Sequence, residues 1–422
     1  MNEWLQCIGC GRRFDPSEVR YTCGCGELLS VERDVMPRRE TFDARLSSRR
    51  TIDKSGVWRF REAVLEVDES EIVTHPEGAT RLYKRESGVG SRGSEPGAVS
   101  SDPRSPTPDS LFFKHEGENP TGSFKDRGMT VAMTQARRLG ARAVACASTG
   151  NTSASLAAYA AQAGLRAVVF IPSGKVSTGK LAQTLAYGAT VLAVRGDFDA
   201  AMQLVREASD RLGIYLVNSI NPFRIEGQKT IVWELLQDLE WNAPDWIVVP
   251  AGNLGNTSAF GKALREAFDA GWIATMPRLA SIQASGANPF YRSYRDGFTE
   301  RHRIAAETVA SAIRIGDPVS HAKAVSAIQL TNGIVEQVTD EELMQAKREI
   351  DEMGIGCEPA SATTLAGVKK LHAAGVMREG ERVVCVLTGH LLKDTDAILH
   401  NVPPERTIEI DATIDAVERA LN

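Results

Sequence analysis

The chain has 422 residues, 42% of them apolar, and a formal net charge of −5. That length suits two or three compact domains with an ordinary core, and the mild charge points neither to nucleic acid nor to an anionic membrane surface. The first residues, MNEWLQCIGC, lack the basic and apolar regions of a signal peptide, and no apolar run approaches membrane-spanning length. The expectation is a soluble cytoplasmic protein.

Residues 1–33 form a small unit carrying four of the seven cysteines. Cys7 and Cys10 make a C-x2-C pair, twelve residues follow, and Cys23 and Cys25 make a C-x-C pair. This spacing predicts a zinc-ribbon-like unit in which the thiolates hold one structural zinc. The C-x-C half is tighter than the usual knuckle, so a ribbon that keeps its shape without metal is the other reading. Cys146, Cys357 and Cys385 are scattered and read as reduced core residues.

A mainly helical or irregular segment follows, including GVWRFREAVL. Between the predicted strands TRLYK and LFFKHE, residues 87–110 hold only Val89 and Val99 as sizeable apolar side chains. Such a segment cannot offset its ordering entropy, and it reads as a disordered surface insertion. Beyond it, short apolar strands alternate with helical segments. Strands are predicted at 143–148, 166–172, 190–194 and 215–219, then at 246–252, 278–285 and 382–389. Alternation of this kind means parallel sheets covered on both faces. Two series predict two doubly wound α/β domains with a cleft between them. The smaller spans about 130–240 and the larger takes the rest of a core running from 34 to 422. A helix is expected over 340–352, with Asp340 as N-cap and TDEE as a capping box.

Three glycine-containing stretches sit where ligands bind in such sheets, just past strand C-termini: ASTGNTSAS (147–155), PAGNLGNTSAF (250–260) and LTGH (387–390). GNLGN leads straight into a helix, whose first amides suit an anion, best a phosphate. Its spacing matches neither a Walker A loop nor a dinucleotide fingerprint, and alone it reads equally well as a plain turn. In ENPTGSFKDRGM, Lys125 lies just inside a helix start, where the helix dipole disfavours a cation. A lysine working as a neutral amine, paired with a phosphate cradle, suits pyridoxal phosphate.

Together ENPTGSFKDRGM, CASTGNTSAS, NSINPFRIEGQKT, PAGNLGN, AIRIGDP, CEPASA and LTGHLLKD closely resemble the threonine synthase family, pyridoxal-phosphate enzymes of the tryptophan-synthase-β fold group. The resemblance covers roughly residues 55–395 without the insertion. It implies that Lys125 is the Schiff-base lysine and proton carrier, with Phe124 before it. It implies that Asn151 meets the cofactor's ring hydroxyl, that Gly252, Asn253, Leu254, Gly255 and Asn256 wrap its phosphate, and that Thr388 meets the pyridine nitrogen. It places Thr152, Asn218, Ser219 and Arg224 on the phosphate of O-phospho-L-homoserine, with Ser148 and Thr149 on the carboxylate. It also implies a homodimer. Asp126 and Arg127 read as braces of the helix start, His390 as structural, and Glu358 as a helix cap or a site residue. The family's GNTPL is GATRL here (Gly78 to Leu82), which predicts a looser turn. A cysteate synthase or a threonine/serine dehydratase on the same scaffold is the alternative enzyme. A dead binding protein is the alternative of another class.

Overall fold

The computed structural model describes residues 3–85, 110–174, 178–196, 198–401 and 407–421. The expected disordered insertion falls on 86–109, outside the described residues, while Ser110 already opens a strand.

Three short strands build the front unit: β1 (Glu3–Cys7), β2 (Arg13–Phe14) and β3 (Leu29–Arg33), antiparallel in the order β2-β1-β3. Strands β4 (Leu82–Lys84) and β5 (Ser110–His115) follow. Next come β6 (Ala143–Ala147), β7 (Arg166–Pro172), β8 (Thr190–Val194) and β9 (Tyr215–Leu216), all parallel in the order β8-β7-β6-β9. The last four are β10 (Trp246–Pro250), β11 (Arg278–Ala284), β12 (Ile334–Val338) and β13 (Arg382–Leu387). With β4 and β5 they make a six-stranded sheet, β12-β11-β10-β13-β5-β4, parallel except for β4.

Both parallel sheets are sandwiched, as their near-continuous apolar strands require. Alternate residues of β10 feed opposite layers. Ile247 and Val249 pack with Phe260 and Leu264 of the helix Gly255–Asp269, and Trp246 and Val248 with Leu365 and Val368 of the helix Pro359–Ala373. In the smaller sheet Val144 and Cys146 join Met133 and Leu156, while Ala145 and Ala147 join Ala201 and Val205. Cys146, Cys357 and Cys385 are buried free thiols, as expected.

Three local expectations are corrected. Strand β12 was not foreseen: it is an edge strand in which only Val335 and Val338 are buried, so it lacks alternation. Thr339, not Asp340, caps the helix Asp340–Glu352, exchanging both capping-box hydrogen bonds with Glu342. The strand expected over 215–219 stops at Leu216. After Val217, the Asn218 side chain takes over the pairing: its Oδ1 accepts from Ala147 N and its Nδ2 donates to Ala147 O, both at 3.0 Å.

Candidate active site

A cavity of about 1430 Å³ opens beyond the C-terminal ends of β6, β10 and β13. Every residue put forward for cofactor or substrate lines it, from five segments widely separated in the chain, at 124–125, 148–152, 218–224, 252–256 and 388.

Lys125 opens the helix Lys125–Arg138, with Phe124 as N-cap and no side-chain cap. Burial, helped by the Arg224 charge and opposed by Glu358, lowers its amine from the ordinary range to about 7. The cation that the helix dipole disfavours is thus partly discharged at physiological pH, and its neutral form is readily available. The neighbouring residues brace this turn. Asp126 accepts from Thr121 N and Oγ1 and from Ser155 Oγ at 2.6–2.7 Å. Arg127 is fully buried and pairs with Glu116 at 2.6 Å and Glu234 at 2.8 Å.

Glu358 proves to be a hub of the site. It holds the N-cap position of the helix Pro359–Ala373 but makes no cap hydrogen bond. Its carboxylate instead accepts from Asn151 Nδ2 at 2.9 Å and from Thr388 Oγ1 at 3.0 Å. Burial raises its carboxyl, against those two hydrogen bonds and the charge of Lys125. Ser361, on the next turn, accepts from the backbone of Thr388 at 2.8 Å and of Gly389 at 3.2 Å and fixes this loop. His390 lines the cavity, and its Nδ1 accepts from Leu392 N.

The GNLGN loop turns sharply into its helix. Leu254 takes a left-handed conformation at φ 63°, and Ser258 N bonds back to its carbonyl at 3.0 Å. The amides before Ser258 belong to the unpaired first turn of a helix, and Gly255 and Asn256 of that turn line the cavity. Asn253 is spent on shape: its Nδ2 donates to Ser219 Oγ at 3.1 Å and its Oδ1 accepts from Val319 N at 2.8 Å. Gln228 Nε2 donates to Asn256 Oδ1 at 2.9 Å. Gln228 lines the cavity and was missed by sequence reasoning, although it lies four residues after Arg224 on one helix face.

Arg224 is 3% exposed. Its Nη1 donates to Val217 O at 3.1 Å, its Nε has no partner, and among the described residues no carboxylate pairs with it. Burial pulls the guanidinium down to about 10. A buried, unpaired arginine on a cavity wall is costly unless an anion completes it. Ser148, Thr149, Thr152 and Ser219 line the same cavity, whereas the Asn218 amide is engaged with Ala147.

The GATRL turn is not loose. Glu234 accepts from the amides of Ala79 at 2.8 Å and Thr80 at 2.9 Å, and Glu118 accepts from Arg81 N, a donor that proline would lack. At the front of the chain the sulfurs of Cys7, Cys10, Cys23 and Cys25 all lie within 4.8 Å of one another.

A family model described as pyridoxal-phosphate dependent enzyme matches residues 100–389. The threonine synthase of Methanocaldococcus jannaschii is 44% identical, over 99% of this chain and 98% of its own. That of Methanosarcina acetivorans is 45% identical over the same shares. The chain belongs to the threonine synthase family of pyridoxal-phosphate dependent enzymes. A solved threonine synthase from Escherichia coli shares the fold, with a TM-score of 0.70 and 20% identity over 99% of this chain and 94% of that one.

This family's cofactor fits the residues present. A partly discharged lysine stands in a cavity that also holds a glycine-rich helix start and a polar pair gathered on Glu358. These are the groups needed for an aldehyde, a phosphate and a ring.

Proposed function

We propose that the protein is a threonine synthase, converting O-phospho-L-homoserine and water to L-threonine and phosphate. The full-length likeness to threonine synthases supports the reaction. The observation that carries the substrate assignment is Arg224, buried and unpaired on the cavity wall.

The cofactor, when bound, supplies an aldehyde that condenses with amines and a ring that accepts electrons. The chain supplies the rest. Lys125 Nζ, half-deprotonated at about pH 7, holds the cofactor; it then takes protons from the substrate's α- and β-carbons and delivers protons to the α- and γ-carbons, as phosphate leaves the γ-carbon and the hydroxyl of water joins the β-carbon. Gly252, Asn253, Leu254, Gly255 and Asn256 hold the cofactor phosphate, Phe124 packs beside it, and Asn151 and Thr388 orient the ring, steadied by Glu358. Arg224, Ser219 and Thr152 hold the substrate phosphate, and Ser148 and Thr149 its carboxylate. Asn218 shapes this wall by pinning the end of β6.

The four front cysteines form a set of sulfur donors suited to one tetrahedral zinc. Residues 1–33 are a ribbon unit and 34–422 a two-domain core, the smaller domain at about 130–240. Family resemblance extends the reading to a cytoplasmic homodimer. Among the described residues no helix is long and apolar enough to cross a membrane.

The test is phosphate release from O-phospho-L-homoserine with threonine detected as product. Arg224→Ala should weaken use of this substrate roughly tenfold to a hundredfold, the worth of a charge-assisted contact, while cofactor content is kept. Turnover of phosphoserine with sulfite instead, or of free threonine or serine, would identify the sister activities.

A further inference from the structure

We propose that the cysteine ribbon is a positioning element for the substrate-phosphate wall, acting through Tyr21 and Arg33. The inference rests on the reading of Arg224 given above.

Two contacts reach from the ribbon to the segment that bears Arg224. Tyr21, two residues before Cys23, accepts from Leu216 N through its hydroxyl at 2.7 Å, and its ring lies 5.9 Å from that of Tyr215. Leu216 is the last residue of β9, two positions before Asn218. Arg33, the last residue of β3, has a side chain only 5% exposed that pairs with Glu226 at 2.8 Å and Glu3 at 3.1 Å. Glu226 follows Arg224 by two residues, so the two side chains leave the helix Pro222–Gln228 on different faces, one toward the cavity and one toward the ribbon. Phe223 and Ile225, on either side of Arg224, share one apolar cluster with Cys7, Cys23, Leu29 and Val31 of the ribbon. The segment 216–226 is therefore gripped from outside at both ends by the ribbon, while its inner face presents Ser219 and Arg224. Among the described residues Arg224 has no ion-pair partner to set its position, so its place depends on what holds its backbone: the close approach of Gly128 on one side and these ribbon contacts on the other.

The experiment uses the holoenzyme, in which the cofactor fills its own phosphate cradle, and inorganic phosphate as probe. Binding is read by titration calorimetry, and cofactor content by visible absorbance. Tyr21→Phe removes one hydroxyl and should weaken phosphate binding and raise KM for the phosphorylated substrate about three- to tenfold, with kcat and cofactor content unchanged. Arg33→Lys keeps the charge, loses the fork and should do the same. Wild-type phosphate affinity in both folded variants overturns the proposal. So does a parallel loss of cofactor, which would mark a merely structural role. Arg224→Ala separates the two levels. If it binds phosphate like the wild type, the reading of Arg224 fails and takes this inference with it. If it loses phosphate while Tyr21→Phe and Arg33→Lys do not, only the ribbon's role falls.

Discussion

Gly227 lies against the backbone of Arg127 so closely that a Cβ on it would stand 1.7 Å from the Arg127 carbonyl oxygen. Across the same crossing, a Cβ on Gly128 would stand 2.9 Å from the Arg224 carbonyl oxygen. The helix that carries Lys125 and the helix that carries Arg224 thus touch backbone to backbone, which fixes the two functional side chains relative to each other.

Gly227→Ala must push these helices apart. Overpacking of this kind costs about 1–3 kcal/mol or more. A clear fall in Tm should accompany a loss of activity larger than the loss of folded protein. A variant as stable and active as the wild type would show that the crossing is slack.

The amine of Lys125 should titrate near pH 7 in the cofactor-free protein. Because the neutral amine is the nucleophile, recombination with the cofactor aldehyde should speed up as pH rises and level off above about 8, one unit past that midpoint. The neighbours should move the midpoint in opposite senses. Arg224→Ala should raise it, and Glu358→Gln should lower it. A lysine of ordinary basicity would keep gaining rate up to pH 10. After borohydride reduction, mass spectrometry should find the pyridoxyl group on the Lys125 peptide.

Glu358→Ala should weaken cofactor binding more than Glu358→Gln does. Glutamine can still accept from Asn151, and the Thr388 hydroxyl can reverse its role and accept from the new amide. Alanine leaves the Asn151 amide without this partner, at about 1–3 kcal/mol if it stays buried, and leaves the Thr388 hydroxyl with Ser361 alone. Cofactor dissociation constants, measured by absorbance on all three proteins, settle the order. Equal constants would leave Glu358 outside the site's machinery.

Metal analysis of untagged protein should find about one zinc per chain, lost in Cys23→Ser. Equal, low zinc in both proteins would mean a ribbon that keeps its shape unaided.

The chemistry of the site was legible in the chain because it sits in loops. GNLGN, ASTGN and LTGH each follow an apolar strand, and parallel topology gathers such strand ends into one crevice. What stayed hidden depends on contacts distant in sequence. Glu358 looks like a helix cap until Asn151, 207 residues away, is seen to point at it. Asn218 looks like a phosphate donor until its amide is found closing the end of β6. The GATRL turn looks loose until Glu234 is placed beneath it. Strand β12 escaped because an edge strand with polar residues on both sides carries no periodic signal.

The pairing of β4 with β5 at the margin of the large sheet has a practical consequence. Lys84 stands opposite Phe112, and Arg85 N donates to Leu111 O at 2.9 Å, so the two strands meet where 86–109 leaves and returns. None of β4, Arg85 or β5 lines the cavity. With the stem closed in this way, the stability of the fold should depend little on the length of what is strung across it, since doubling a loop costs only about 0.6 kcal/mol. A reporter domain, an affinity handle or an immobilisation tether spliced between Arg85 and Ser110 should therefore leave turnover near the wild-type level, which phosphate release from such an insertion protein checks.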